Sequence, residues 1–476
     1  MLSRIAKKEI IQAFRDIRLQ VAAGLIFTLM LVAVLLGKNA QQQVQNERAE
    51  AQAVMYDRWV NQGNKHPHSA AHYGQFAFKP KPVLSFLDVG LDNYTGVSVF
   101  LEAHKQNEIL FSGAQDNNVL TRFGEMTAAM VFQLLIPLLI IFLAFNTFTK
   151  ERTEGTLKML AAQGVSMRQL FASKVTGIYL ITMVLFLPVV FLSYLFLNQS
   201  SGSETGQIGL RFLGIIGVYA LYFLIFTFLA VGISAWSKNA GLALLTLLGI
   251  WIVAGVIMPK ASTNLASKLY PAPSQFEFRK TIKTKVKSGI DGHNPSDVRL
   301  ASLKKSTLKE YGVASIEELP VNWSGIAMQA GEEYTDQVYD QEFSKVEQVF
   351  QRQNRLSEWL GFFNPYLAIR NLSMGLSGTD FHHHIAFAKA AEDYRRYFVK
   401  EMNKDMEVNH KPGVAYADYK IGKEMWSSIS PFSYQQPSFN EVLQHHWRSW
   451  SALLLWIGGL LALVFTFSKR ISILPV

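Results

Sequence analysis

Residues 149–174 read TKERTEGTLKMLAAQGVSMRQLFASK, a polar and basic stretch set between two runs, 126–148 and 175–197, that carry almost no charge. Each flanking run approaches the roughly 20 apolar residues that a helix needs to cross a bilayer core of about 30 Å. Four further runs have the same character: 21–37, 209–236, 239–258 and 449–467. Only 17% of the 476 residues are charged, against roughly 25% in an ordinary soluble domain. Disorder and an ordinary soluble enzyme are both excluded. With no Cys in the chain there is no thiol chemistry, no disulfide framework and no Cys-based metal site. The sequence describes an integral membrane protein with six spanning helices.

Charge sets the expected orientation, because Lys and Arg in short loops stay on the cytoplasmic side. Arg4, Lys7, Lys8, Arg15 and Arg18 precede the first run, and Lys150, Arg152, Lys158, Arg168 and Lys174 lie in the quoted connector. Lys238 lies in the 237–238 turn and Lys469 with Arg470 in the tail, whereas loop 198–208 has no Lys or Arg. All the basic segments share one side if both termini are cytoplasmic. The expected order is a connecting helix (1–20), TM1 (21–37), an outer stretch (38–125), TM2 (126–148), the connector (149–174), TM3 (175–197), TM4 (209–236), TM5 (239–258), a second outer stretch (259–447), TM6 (449–467) and a cytoplasmic tail (468–476). The two outer stretches hold more than half the chain and are too long to be mere connections. They predict an α+β ectodomain joined to an all-α membrane bundle. Polar residues 41–59 read as a helix, as do Val338 to Leu356 and Phe387 to Phe398 at helical spacing.

Within the connector, Thr153 to Ala162 reads as one short amphipathic helix, apolar at Leu157, Met159 and Leu160 and stopped at Gly164. Ser166 is a plausible N-cap for a second helix running into the next span. A short helix lying across the membrane face could push on a soluble partner; the plainer alternative is a solvated loop. The N-terminal arm is amphipathic, with Ala6, Ile10, Ala13, Phe14 and Ile17 on one face, as suits a helix in the membrane interface. A plain anchor is the other reading of that arm.

The set Glu151-Arg152-x-x-Gly155-Thr156-Leu157-x-x-Leu160, followed by Gly164-Val165-Ser166 and Lys174, resembles the coupling-helix signature of ABC-2-type permeases, the membrane subunits of ABC exporters with the type V fold. The basic arm is similar to that family's connecting helix. The resemblance implies that Glu151, Arg152, Glu154, Gly155, Thr156, Leu157, Leu160 and Gly164 couple to a cytoplasmic ABC ATPase, present in two copies. Arg4, Lys7, Lys8, Arg15 and Arg18 would belong to the connecting helix. It also implies a second permease subunit, identical or a close paralogue, in a bacterial inner membrane. Segments Asn64-x-His66-Pro67-His68-Ser69-Ala70-Ala71-His72-Tyr73-Gly74, Leu101-Glu102-Ala103-His104 and Ser377-Gly378-Thr379-Asp380-x-His382-His383 resemble a bacterial subfamily with a large periplasmic ectodomain.

No G-x-x-x-x-G-K-[ST] cradle for nucleotide phosphates occurs, so ATP and Mg are expected on the partner ATPase and no cofactor on this chain. An ATP-driven mechanotransmission or assembly role, acting on a periplasmic partner or a metal-site maturation factor without moving cargo, is the alternative. The spans carry no central Asp, Glu, Lys or Arg, which argues against an ion channel or proton-coupled carrier. Pro137 and Pro188 sit mid-span as potential hinges. His66, His68, His72, His382, His383 and His384 form the candidate metal set, since imidazole suits zinc or copper; Pro67 and the want of a carboxylate at fixed spacing favour structural hydrogen bonding instead. The basic excess over 268–310 could meet an anionic surface or simply be solvated. Nucleic acid is not an expected partner.

Overall fold

The computed structural model describes residues 2–109, 127–198, 205–290, 297–411 and 413–467. The tail with Lys469 and Arg470, and most of loop 198–208, lie outside the described residues. Among the described residues, six helices are long and apolar enough to cross a membrane: Ile17–Val60, Ala128–Thr153, Met167–Asn198, Gly206–Trp236, Ala240–Leu269 and Trp447–Thr466. They are called spans 1 to 6 below.

Span 1 extends far past its apolar run. Its 44 residues make a rod of about 66 Å at 1.5 Å per residue, roughly twice a bilayer core. The polar residues expected as a separate helix are its continuation. They serve the small sheet beside them: Gln52 Oε1 accepts from Phe78 N at 3.1 Å, Gln52 Nε2 donates to Phe76 O at 3.2 Å, and Arg48 donates to Lys79 O at 2.8 Å. An open strand edge carries unpaired backbone groups, and these side chains cover them. The sheet has β1 (Gln75–Phe78), β2 (Ser98–Glu102) and β3 (Lys105–Gln106), antiparallel throughout, in the order β1-β2-β3. Ala103 and His104 make the tight β2–β3 turn, His104 at φ 67°.

The far end of span 1 anchors a second core. Trp59 is buried, edge-on to Phe398 and Trp426, and its Nε1 donates to Trp426 O at 2.9 Å. Helix Phe381–Asn409 packs around it, and helix Trp323–Leu360 packs against that helix in turn; the two contain both periodic patterns of the second long stretch.

The larger core belongs to the spans, and it takes in an element that hydropathy placed outside. Helix Pro365–Ser377 lies in the second long stretch, yet Ala368, Ile369, Leu372 and Leu376 are fully buried among the spanning helices. Its single Arg and several polar residues break the apolar run. The polar groups find partners: Ser373 Oγ lies 2.8 Å from Tyr219 Oη on span 4, and Asn364 Nδ2 donates to Ala254 O on span 5 at 2.9 Å.

Spans 2 and 5 each contain a π-helical turn, Val131–Leu135 and Val253–Ile257, and each turn is followed by a proline, Pro137 or Pro259. Pro137 has no N–H to return to the carbonyl four residues earlier. That carbonyl, Gln133 O, accepts from Tyr222 Oη at 3.0 Å instead. Ala254 lies five residues before Pro259, the π-helical spacing, and its carbonyl takes Asn364. Trp251 Nε1, just before the second turn, donates to Leu134 O in the first at 3.0 Å and ties span 5 to span 2. Pro188, by contrast, sits inside the continuous helix Met167–Asn198.

Candidate functional site at the connector end of the bundle

The helix expected over Thr153 to Ala162 starts only at Thr156, with a corner between it and the helix before. Thr149–Thr153 ends the run from span 2, and Thr156–Ala162 starts after Gly155, which adopts φ 76°. Left-handed backbone costs a residue with a Cβ roughly 1–2 kcal/mol, so glycine permits the corner. The second helix stops as expected at Gly164, φ 81°, with Gly164 N donating to Ala161 O at 3.0 Å and Val165 N to Leu160 O at 3.2 Å. This is the Schellman closure of a helix C-terminus. Ser166 Oγ then accepts from Gln169 N at 3.2 Å, capping the helix of span 3.

The arm is also two pieces. Its helix is Leu2–Ala13, and Asp16 caps the next helix by accepting from Arg18 N at 2.9 Å. Arg15 therefore lies in the corner and Arg18 in span 1, while Arg4 and Lys7 are exposed on the arm. Phe14 and Ile17, expected on the apolar face in the membrane interface, are not packed against protein: they are 58% and 66% exposed. The arm helix packs along span 3, where Gly177 lets it come close: a Cβ there would stand 3.1 Å from Ala6 O.

Between arm, connector and span 3 lies a buried ion cluster. Lys174 Nζ, its side chain fully buried, is 2.7 Å from Glu9 Oε1 and 3.1 Å from Glu151 Oε2, and donates to Thr147 O at 2.9 Å. Lys8 Nζ reaches Glu151 Oε1 at 2.8 Å. Arg152 turns the other way, donating to Ser237 O at 2.7 Å and Ala235 O at 2.5 Å at the end of span 4. Phe148 N donates to Ser234 Oγ at 3.1 Å. A buried charge is tolerable only when paired and hydrogen-bonded, and each of these side chains is.

Burial divides the expected coupling residues into two groups. Glu151, Arg152 and Leu157 are buried, Leu157 completely. Their contacts are to the bundle and the arm. Leu160 is half-buried against the same core. The exposed faces belong to Thr153, Glu154, Gly155, Lys158, Met159, Gln163 and Gly164, with Met159 62% exposed. Thr156 is half-buried and its hydroxyl donates to Glu151 O at 3.2 Å, closing the corner. Glu9 was not singled out from the sequence. An acid within a basic arm, on the face shared with Ile5 and Ala6, was the available signal.

The candidate metal histidines do not form one set. His66 caps helix Pro67–Tyr73 through Nδ1, stacks on Tyr416 at 3.7 Å, and burial together with the neighbouring His410 lowers its pKa to about 4. His383 Nδ1 and His446 Nε2 both meet the buried Asp380, at 2.5 and 2.7 Å, and Arg211 of span 4 lies 3.1 Å from His383 Nε2. Burial opposes ionisation of Asp380, but the two imidazoles hold its carboxyl well below the usual range. His382 stacks on His445 at 4.2 Å. His384 stands apart, its pKa lowered to about 4 by burial and by Lys79. His68, His72 and His104 come together instead.

Six spanning helices around one apolar core define a polytopic α-helical membrane protein. Residues 104–263, which include spans 2 to 4, the connector and most of span 5, match the model of the ABC-2 family transporter protein. That match supports a membrane permease of an ABC transporter. Residues 275–435 match a second model, described as a domain of unknown function (DUF3526). No curated protein matches the chain.

Proposed function

We propose that the chain is the permease subunit of a bacterial inner-membrane ABC exporter, with both termini and the connector cytoplasmic. It pairs with a second permease subunit, and two copies of a separate ATPase stand against the connectors. The observation that carries the reading is the Glu9–Lys174–Glu151 cluster. It joins arm, connector and span 3 into one body, so a push on the exposed Lys158–Met159 face moves the spans with it. Rigid-body movement of packed helices is how such motors act. An apolar groove of about 510 Å³ between spans 3 and 4, lined by Leu187, Phe191, Phe212 and Leu213, suits an acyl chain better than a hydrated ion.

The test is co-purification of the full-length chain with its ATPase from the native membrane, for wild type and the double variant Lys158→Glu, Met159→Asp. Loss of the ATPase from the variant, with insertion and thermal stability unchanged, supports the reading. Equal recovery of ATPase with both forms, or none with either, overturns it.

Span 1 favours a second reading. One unbroken helix runs from the arm to the Trp59 core, a rod able to carry motor strokes to the outer part with no cargo crossing. Nucleotide-dependent change in the outer part, without transport by reconstituted vesicles, would select it.

A further inference from the structure

His68 and His72 lie one turn apart on helix Pro67–Tyr73, with Pro67 in its first turn. Proline at that position pre-organises a helix rather than breaking it, so both imidazoles leave the same face. Their Nε2 atoms are 3.2 Å apart. Two nitrogens each about 2.0–2.1 Å from one tetrahedral ion stand roughly 3.3 Å apart, so the spacing is that of two ligands of a single metal. The third imidazole, His104, comes from the β2–β3 turn, with ring centroids 5.1 Å from His68 and 4.9 Å from His72. Each of the three residues offers a ring nitrogen within 4.8 Å of the others.

The carboxylate that sequence spacing did not supply comes from 228 residues away. Glu332 Oε1 takes both His104 N at 2.8 Å and His104 Nδ1 at 2.7 Å. Holding the proton on Nδ1 leaves the lone pair on Nε2, the tautomer that a metal needs. Glu332 is buried and its other oxygen is 3.3 Å from Arg395, which fixes the carboxylate in place. His104 itself is held at φ 67°, a conformation that a residue with a Cβ adopts only when its surroundings insist. His68 is buried while His72 is exposed, so the cluster opens to solvent on one side.

We infer that His68, His72 and His104 form a three-imidazole site for a divalent late first-row transition ion such as zinc, with Glu332 orienting His104 and a solvent-facing fourth position. Three neutral imidazoles suit zinc, copper(II) or nickel and not calcium or magnesium, which take oxygen ligands. The ion would tie helix Pro67–Tyr73 to the β2–β3 turn, and through Glu332 to helix Trp323–Leu360.

The test uses full-length, tag-free protein, stripped with chelator and titrated with zinc in detergent. Wild type is expected to bind one equivalent that His72→Ala, His104→Ala loses. Glu332→Gln should weaken the affinity about ten- to a hundred-fold, and His445→Ala, His446→Ala, at the Asp380 cluster, should leave it unchanged. Equal zinc binding by wild type and the His72→Ala, His104→Ala variant overturns the site, as does no binding at micromolar zinc. Anomalous scattering at the zinc edge from wild-type crystals needs no variant: an ion on these three rings supports the site, and ions only elsewhere refute it.

Discussion

Lys174 Nζ lies 3.1 Å from Glu151 Oε2, and the same ammonium holds Glu9 at 2.7 Å. One cation thus bridges two carboxylates from two other segments, with Lys8 supplying the second positive charge at Glu151, and Lys174, Glu9 and Glu151 are all buried. Removing Lys174 leaves Glu9 without its cation and Glu151 with Lys8 alone. Lys174→Met is expected to destabilise the protein by about 3–5 kcal/mol, the cost of breaking a buried pair from one side. Adding Glu9→Gln and Glu151→Gln should restore most of that loss. Thermal unfolding in detergent reads both steps; a triple variant no more stable than Lys174→Met would show that the charges are not what the lysine serves.

Gly155 is surrounded by open space, with nothing within 4 Å of where a Cβ would stand, and differs from its neighbours only in its φ of 76°. Gly155→Ala should therefore cost roughly 1–2 kcal/mol through backbone strain alone. Gly155→Asn should cost less, because asparagine enters left-handed backbone more readily. Equal losses in the two variants would place the glycine's value elsewhere than in its backbone.

Leu157 and Met159 are two residues apart and face opposite ways. Leu157→Ala opens a hole in the core and should lower stability by about 2–5 kcal/mol. Met159→Ala should leave the unfolding midpoint unchanged, while any effect it has appears in ATPase recovery. The reverse pattern would mean that the Thr156–Ala162 helix is rotated about its axis.

Two histidines outside the spans make the fold acid-sensitive. His384 and His445 each have a pKa lowered to about 4, principally by burial, against about 6.5 when unfolded. The unfolded chain therefore holds more protons at these positions as the pH falls through that interval, and stability, full above about pH 6.5, declines toward pH 4. The unfolding midpoint should drop over this range, and His384→Gln should flatten the decline. A midpoint independent of pH between 7 and 4.5 would contradict the assignment.

Much of this was legible in the residues. Apolar run lengths gave six spanning helices because the bilayer imposes one length on every crossing helix, and Gly164 and Ser166 marked a stop and a start because those positions need a particular backbone and a particular side-chain oxygen. What stayed hidden involves partners distant in sequence. Gly155 read as an interior helix residue, and only the corner it makes shows why Leu157 turns inward and Met159 outward. Glu151 and Arg152 read as surface charges, because a buried ion can be recognised only from its counter-ion, and Lys174, Glu9 and the carbonyls of residues 235 and 237 lie in other segments.

The sequence by itself settled that the chain crosses a membrane, where its apolar runs fall, and that it lacks a nucleotide cradle, since these depend on local composition and spacing. Tertiary structure alone decided that helix Pro365–Ser377 joins the core of the spans, that His104 joins His68 and His72 while His66 does not, and that Glu332 stands behind them. Hydropathy sums a window of neighbours along the chain, whereas burial and ligand geometry depend on groups brought within a few ångströms from hundreds of residues away.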